Sequence, residues 1–113
     1  MMSLGVHNQI CFIRSGGNPV PPFVIDVADL LLQKLHWPNK DPTVIPMSPD
    51  YIAISFPTKE EKELMITIGK DKASIYFMPF GSGPSHTFVF SDDKIDPVFH
   101  AEALRDIIQP FLV

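Results

Sequence analysis

The chain has 113 residues, of which 45% are apolar, with one cysteine and a formal net charge of −4. This length predicts a single domain, residues 1–113, and one cysteine excludes an intramolecular disulfide framework. Only Arg14 and Arg105 are arginines, and without clustered basic residues direct nucleic-acid binding is disfavoured.

The N-terminal segment lacks a basic stretch followed by a long apolar run, so we expect no secretory signal and a cytoplasmic protein. Residues 1–8 are expected to be disordered or partly cloning residue. The apolar run from Ile10 to Ile13 predicts a short strand. Its apolar side chains predict a buried, unreactive thiol at Cys11.

The segment from Pro22 to Trp37 predicts an amphipathic helix. Its apolar residues recur at the spacing of one helical face; they are Val24, Val27, Ala28, Leu31, Leu32 and Leu35. Acidic residues lie towards its start and Lys34 and His36 near its end, as the helix dipole favours. The proline-rich stretch from Pro38 to Asp50 then predicts an extended surface loop, either a linker or a binding edge.

Four short apolar runs, each closed by turn residues, predict a β-meander over residues 51–90. The runs are Tyr51 to Phe56, Leu64 to Ile68, Ala73 to Met78 and His86 to Phe90. Strand side chains alternate between the two faces of a sheet. The alternation predicts a core face that carries Ile52, Ile54, Phe56, Leu64, Ile66 and Ile68. The glycines and prolines between the last two runs predict a hairpin there, not a membrane-spanning helix.

The opposite sheet face is predicted to be partly covered, because it carries Tyr and Met where a solvated face normally carries charged side chains. The predicted interface residues are Tyr51, Met65, Tyr76, Met78 and Val89. A second copy of the chain, another protein or a ligand would cover them. The competing interpretation is that the chain's own N-terminal segment lies across this face.

The last predicted helix begins with Asp96 as its N-cap and Pro97 as its first residue. An apolar stripe follows at Ala101, Leu104, Ile107, Ile108 and Phe111, and Pro110 is expected to end or bend the helix. The order of elements predicts the α+β class: two layers, with an antiparallel sheet of four to five strands and two helices packed mainly on one face.

No residue pattern predicts catalysis, a metal site or a cofactor. Asp50, with Glu60, Glu61 and Lys62, faintly resembles the two carboxylates and lysine of a nuclease, but a charged turn explains the last three better. The four histidines, His7, His36, His86 and His100, show no recognised metal-binding spacing.

Two functional hypotheses follow. The first is a non-enzymatic binding protein, expected to be a homodimer or to bind another protein through the Tyr and Met face or the acidic C-terminal helix. The alternative is a domain that binds a small apolar ligand, or acts as an enzyme, in a pocket between sheet and helices. The predicted pocket residues are Trp37, Phe77, Phe80, His86, Phe88, Phe99 and His100.

Overall fold

The computed structural model describes residues 4–16, 20–37, 41–47, 50–57, 63–69, 72–78, 86–89 and 97–112. These residues form three helices and five strands, which in chain order are α1 (Leu4–Ser15), α2 (Pro22–Lys34), β1 (Thr43–Met47), β2 (Tyr51–Pro57), β3 (Glu63–Ile68), β4 (Lys72–Met78), β5 (His86–Val89) and α3 (Pro97–Leu112). The strands form one antiparallel sheet in the order β1-β2-β3-β4-β5. The predicted α+β class and the meander are confirmed.

The core lies between the helices and one face of the sheet, which we call the core face. Its buried residues are Val44, Ile52, Ile54, Phe56, Leu64, Ile66, Ile68, Ala73 and Ile75, and they join one cluster with the buried residues of all three helices. Alternation placed the β2 and β3 members on this face correctly, because burial on one side enforces a two-residue period. Burial of this apolar surface is the main source of stability in a domain of this size.

The strand predicted at Ile10 to Ile13 is wrong, because these residues belong to helix α1. Val6, Ile10 and Ile13 are its buried residues, and their spacing of four and three is that of one helical face. Cys11 lies on the other side of the helix and is exposed, so the prediction of a buried thiol is also wrong. The helix begins at Leu4, within the segment expected to be disordered.

The loop predicted from Pro38 to Asp50 contains strand β1, which pairs with β2 at the edge of the sheet. The sequence analysis missed β1 because of the prolines in this segment, since proline cannot donate a hydrogen bond to a neighbouring strand. The Val44 N–H donates to the Gln9 side chain at 2.7 Å and so points away from β2. Pro46 is two residues further on, so its missing N–H also falls on the outer edge, where proline is tolerated.

The two longer helices agree with their predictions except at their ends. Helix α2 ends at Lys34, three residues before the predicted Trp37. Helix α3 begins at Pro97 as predicted and runs through Pro110 to Leu112, so Pro110 does not end it. The predicted N-cap Asp96 and the side chain of Phe111 lie outside the described part of the chain. None of the described helices is long and apolar enough to cross a lipid bilayer.

Arg14 joins α1 to α2 on the surface. Its guanidinium lies 2.8 Å from the Asp26 carboxylate and 3.3 Å from that of Asp29. Partial desolvation of Arg14 opposes its charge, but hydrogen bonds and attraction from Asp26 and Asp29 prevail and raise its pKa. Because these groups are partly exposed, each ion pair adds at most about 1 kcal/mol to stability.

A glutamine side chain joins the end of α2 to α3. The Gln109 Oε1 accepts from the His36 backbone N–H at 2.8 Å, and the Gln109 Nε2 donates to the His36 carbonyl oxygen, also at 2.8 Å. The side-chain amide thus pairs with His36 as a neighbouring strand would. It satisfies both backbone groups just beyond the last turn of α2.

Replacing Gln109 by alanine is expected to lower the free energy of unfolding by about 1 to 2 kcal/mol, because two hydrogen bonds to backbone groups are lost at a partly solvated site. Urea unfolding followed by circular dichroism measures the change. The matched control is Gln33→Ala, since Gln33 is exposed and its amide donates only to the Asp29 carboxylate among the bonds described for it. Equal losses in both variants would contradict a role for Gln109 in joining the helices.

Candidate functional site

The candidate site is the sheet face opposite the core face, which we call the outer face. Strand register arranges its positions in four rows across the sheet. The rows are Pro57, Glu63 and Met78; Thr43, Ser55, Met65 and Tyr76; Ile45, Ala53, Thr67, Ser74 and Thr87; and Met47, Tyr51, Gly69, Lys72 and Val89. All five residues of the predicted interface therefore hold positions on one face.

Small residues in the third row lie between larger ones. Ala53 and Ser74 are buried although no side chain of the core cluster lies on their side of the sheet. Their neighbours Tyr51, Met65 and Tyr76 are half-buried. The outer face is therefore low along the row of small residues Ala53, Thr67 and Ser74. The larger tyrosine and methionine side chains border this row.

Strand β1 adds two apolar residues that the sequence analysis missed. Ile45 is 43% exposed and Met47 is 37% exposed, and register places both on the outer face beside Ala53 and Tyr51. They were missed because residues 38–50 were interpreted as a loop. In a loop, side chains do not alternate between two faces, so no residue of this segment was assigned to a sheet face. The available signal was the β-branched run of Thr43, Val44 and Ile45, which favours a strand.

The N-terminal segment does not cover this face in the part of the chain that the structure describes. Helix α1 packs on α2 and β1, and its buried residues join the cluster on the core face. The interpretation that the N-terminal segment lies across the Tyr and Met face is therefore wrong for residues 4–16.

Register places two charged residues on the outer face, Lys72 and Glu63, at opposite ends of the strands, and the side chain of Glu63 lies outside the described part of the structure. The described carboxylates in ion pairs belong to α2 and α3, as at Asp26, Asp29, Glu102 and Asp106. The described side chains of the outer face are apolar or hydroxyl-bearing apart from Lys72, and such a face can pack against another apolar surface.

For two of the predicted interface residues, Met78 and Val89, the structure describes the backbone only. Met78 pairs with Glu63, and Val89 pairs with Lys72. Their side chains lie outside the described part of the structure.

The predicted pocket residues with described side chains divide into two groups. The Trp37 ring packs on Phe56 with centroids 5.8 Å apart. His100 is buried, with its ring edge-on to Phe23 at 5.8 Å and to Phe99 at 5.5 Å. Phe23 lies at the start of α2 and Trp37 beyond its end, a separation of roughly 20 Å at the rise of an α-helix.

Phe99 is 55% exposed although its ring contacts His100. Phe80 lies outside the described residues. Phe77, His86 and Phe88 are placed by backbone register alone. His100 therefore lies near the start of α2 and Trp37 near its end.

Other chemical groups do not form a recognised centre. No three His, Cys, Asp or Glu side chains come together as a metal site among the residues that the structure describes. Asp50 lies in the turn that enters β2, and Glu60, Glu61 and Lys62 lie outside the described residues. Comparison with known protein families, curated proteins and solved structures finds no match to this chain.

Proposed function

We propose that this protein is a non-enzymatic interaction domain that forms a homodimer through the outer face of its sheet. The observation that carries the proposal is the exposed pair Ile45 and Met47 beside the half-buried Tyr51 on the outer face. Tyrosine, methionine and aliphatic side chains are typical of the central part of protein interfaces. We also assign the protein to the cytoplasm, where an exposed free thiol such as Cys11 stays reduced.

Charge permits a second copy as the partner when the contact is through the outer face. The chain is acidic, with a net charge of −4, so two copies repel each other on average. Contact through the outer face keeps the carboxylates of α2 and α3 away from the interface. In a symmetric dimer, each outer face presents the same tyrosine side chains and the same row of small residues to the other copy. When two sheets pack face to face, large side chains of one sheet fit between those of the other.

The size of the face predicts a weak, reversible dimer. Five strands spaced about 4.8 Å apart and roughly 18 Å long cover roughly 400 Å² in each copy. Two such faces lie at the low end of specific interfaces, where transient complexes are found. We therefore expect dissociation within the concentration range that sedimentation can reach.

The wild-type mass in solution is expected to rise with concentration from 12.7 kDa towards twice that value. Ile45→Lys is expected to stay monomeric, because a lysine ammonium would be buried without a partner in the dimer. Sedimentation velocity over a wide concentration range measures both. Val98→Lys is the matched control, since Val98 on α3 is 44% exposed and Ile45 is 43% exposed.

A wild-type protein that stays at monomer mass throughout would overturn the homodimer. Equal dissociation in Ile45→Lys and Val98→Lys would also count against the outer face as the interface. Circular dichroism of each variant checks that the sheet is retained.

A further inference from the structure

Two metal-binding side chains lie at chelating distance on the exposed side of helix α1. The Cys11 Sγ lies 3.4 Å from the His7 Nε2, and both residues are exposed. They are four residues apart, so the helix places them on adjacent turns of one face. The sequence analysis missed the pair because it considered histidines only with one another and interpreted the segment around Cys11 as a strand.

The distance between the two atoms equals the separation of two ligands on one tetrahedral metal ion. Zinc bonds of about 2.3 Å to sulfur and about 2.05 Å to nitrogen hold these atoms about 3.5 Å apart at a tetrahedral angle. A linear ion such as two-coordinate copper(I) would hold them more than about 4 Å apart. The observed 3.4 Å therefore fits a tetrahedral ion without a change of helix geometry.

The surroundings of the pair admit a cation. Helix α1 has no acidic residue, and its one basic residue, Arg14, is paired with Asp26 and Asp29 on α2. The one further bond described for the Cys11 residue is at its carbonyl oxygen, which accepts from the Ser15 hydroxyl, and this leaves the thiol group available. A thiol and an imidazole together are donors typical of zinc sites.

We propose that His7 and Cys11 form a binding site for a thiophilic divalent metal ion of the zinc class. On binding, the thiol releases its proton to solvent, and the thiolate and the His7 Nε2 lone pair each form one bond to the metal. Water or the same pair from a second copy supplies the two remaining ligands. The site lies on α1 and not on the outer face, so it is independent of the proposed homodimer.

Cobalt(II) is the probe, because it replaces zinc in tetrahedral sites and has a visible spectrum that zinc lacks. Anaerobic titration of the full chain is expected to give a thiolate-to-cobalt charge-transfer band and the strong visible bands of tetrahedral cobalt, both removed by zinc. Cys11→Ser is expected to abolish the charge-transfer band. His7→Ala is expected to weaken affinity by at least about tenfold, since one donor replaces a chelate.

The matched control is His36→Ala, which removes another exposed histidine and should leave the titration unchanged. A stoichiometry of one ion per chain or one per two chains supports the site, and the ratio identifies the source of the remaining ligands. A wild-type titration without the charge-transfer band would overturn the proposal. So would an equal loss of affinity in His7→Ala and His36→Ala. Both positions are exposed, and circular dichroism verifies that each variant is folded.

Discussion

Phe56→Ala is expected to lower the free energy of unfolding by about 3 to 5 kcal/mol. Phe56 is 1% exposed on the core face of β2 and packs against the Trp37 ring. Alanine removes most of the buried apolar surface and leaves a cavity that rigid neighbouring strands cannot fill. Domains of this size are stable by about 5 to 15 kcal/mol, so the variant would lose a large share of its stability.

Urea unfolding measures this loss by two signals. The chain has one tryptophan, and because Trp37 contacts Phe56, its fluorescence reports directly on the altered site. Circular dichroism reports on the sheet and helices as a whole. Phe56→Leu, which keeps much of the side-chain volume, should cost less than half as much as alanine.

The control for Phe56 is Thr43 on strand β1, which lies on the outer face and is exposed. Thr43→Ala is expected to change the free energy of unfolding by no more than about 0.5 kcal/mol. A small loss in Phe56→Ala, comparable to that of Thr43→Ala, would show that the core does not depend on this face of the sheet.

The strands of the meander could be predicted because two independent signals agree there. Alternation gives the face of each residue, and glycine, proline and charged residues give the ends of each run. In β2, for example, Ile52, Ile54 and Phe56 are all buried, as alternation predicts. The face of each residue follows from covalent geometry, so tertiary contacts did not have to be known.

Helix α1 could not be predicted from its four consecutive apolar residues alone, because a short apolar run fits a buried strand and a buried helix segment equally well. Val6 resolves the ambiguity, since Val6, Ile10 and Ile13 together have helical spacing. The wrong element then gave the wrong environment for Cys11. A strand between apolar neighbours buries a thiol, whereas this helix turns Cys11 to solvent beside His7.

Strand β1 could not be predicted because its stability depends on a distant residue. Pro46 is unfavourable within a sheet unless its position faces an edge. That edge is formed by the pairing of Val44 with Ile54 and by the contact of Gln9 with β1. The Gln9 contact joins residues 35 positions apart in the sequence, so no local pattern records it.

Gln9 closes the edge of the sheet that β1 would otherwise present to other chains. Its Oε1 accepts from the Val44 N–H at 2.7 Å, and its Nε2 donates to the Pro42 carbonyl oxygen at 3.3 Å. The amide thus takes the place of the next strand. Pro46 lacks an N–H at the next outward position, so glutamine and proline together remove the two outward N–H groups of β1 that another strand would use.

Gln9→Ala is expected to lower the free energy of unfolding by about 2 kcal/mol, because two partly buried hydrogen bonds are lost and the Val44 N–H loses its acceptor. Gln9→Glu retains an acceptor for Val44 but not the donor for Pro42, so its loss should be intermediate. Urea unfolding measures both, with Gln33→Ala as the surface control.

The same substitution is expected to increase aggregation, since an edge strand with an unpaired N–H recruits other strands. Light scattering during prolonged incubation should rise for Gln9→Ala, and rise further when Pro46→Val restores the second outward N–H. If the double variant stays as clear as wild type while its stability falls, Gln9 joins α1 to β1 but does not protect the edge. Because stability and scattering are measured separately, the two roles of this one amide can be distinguished.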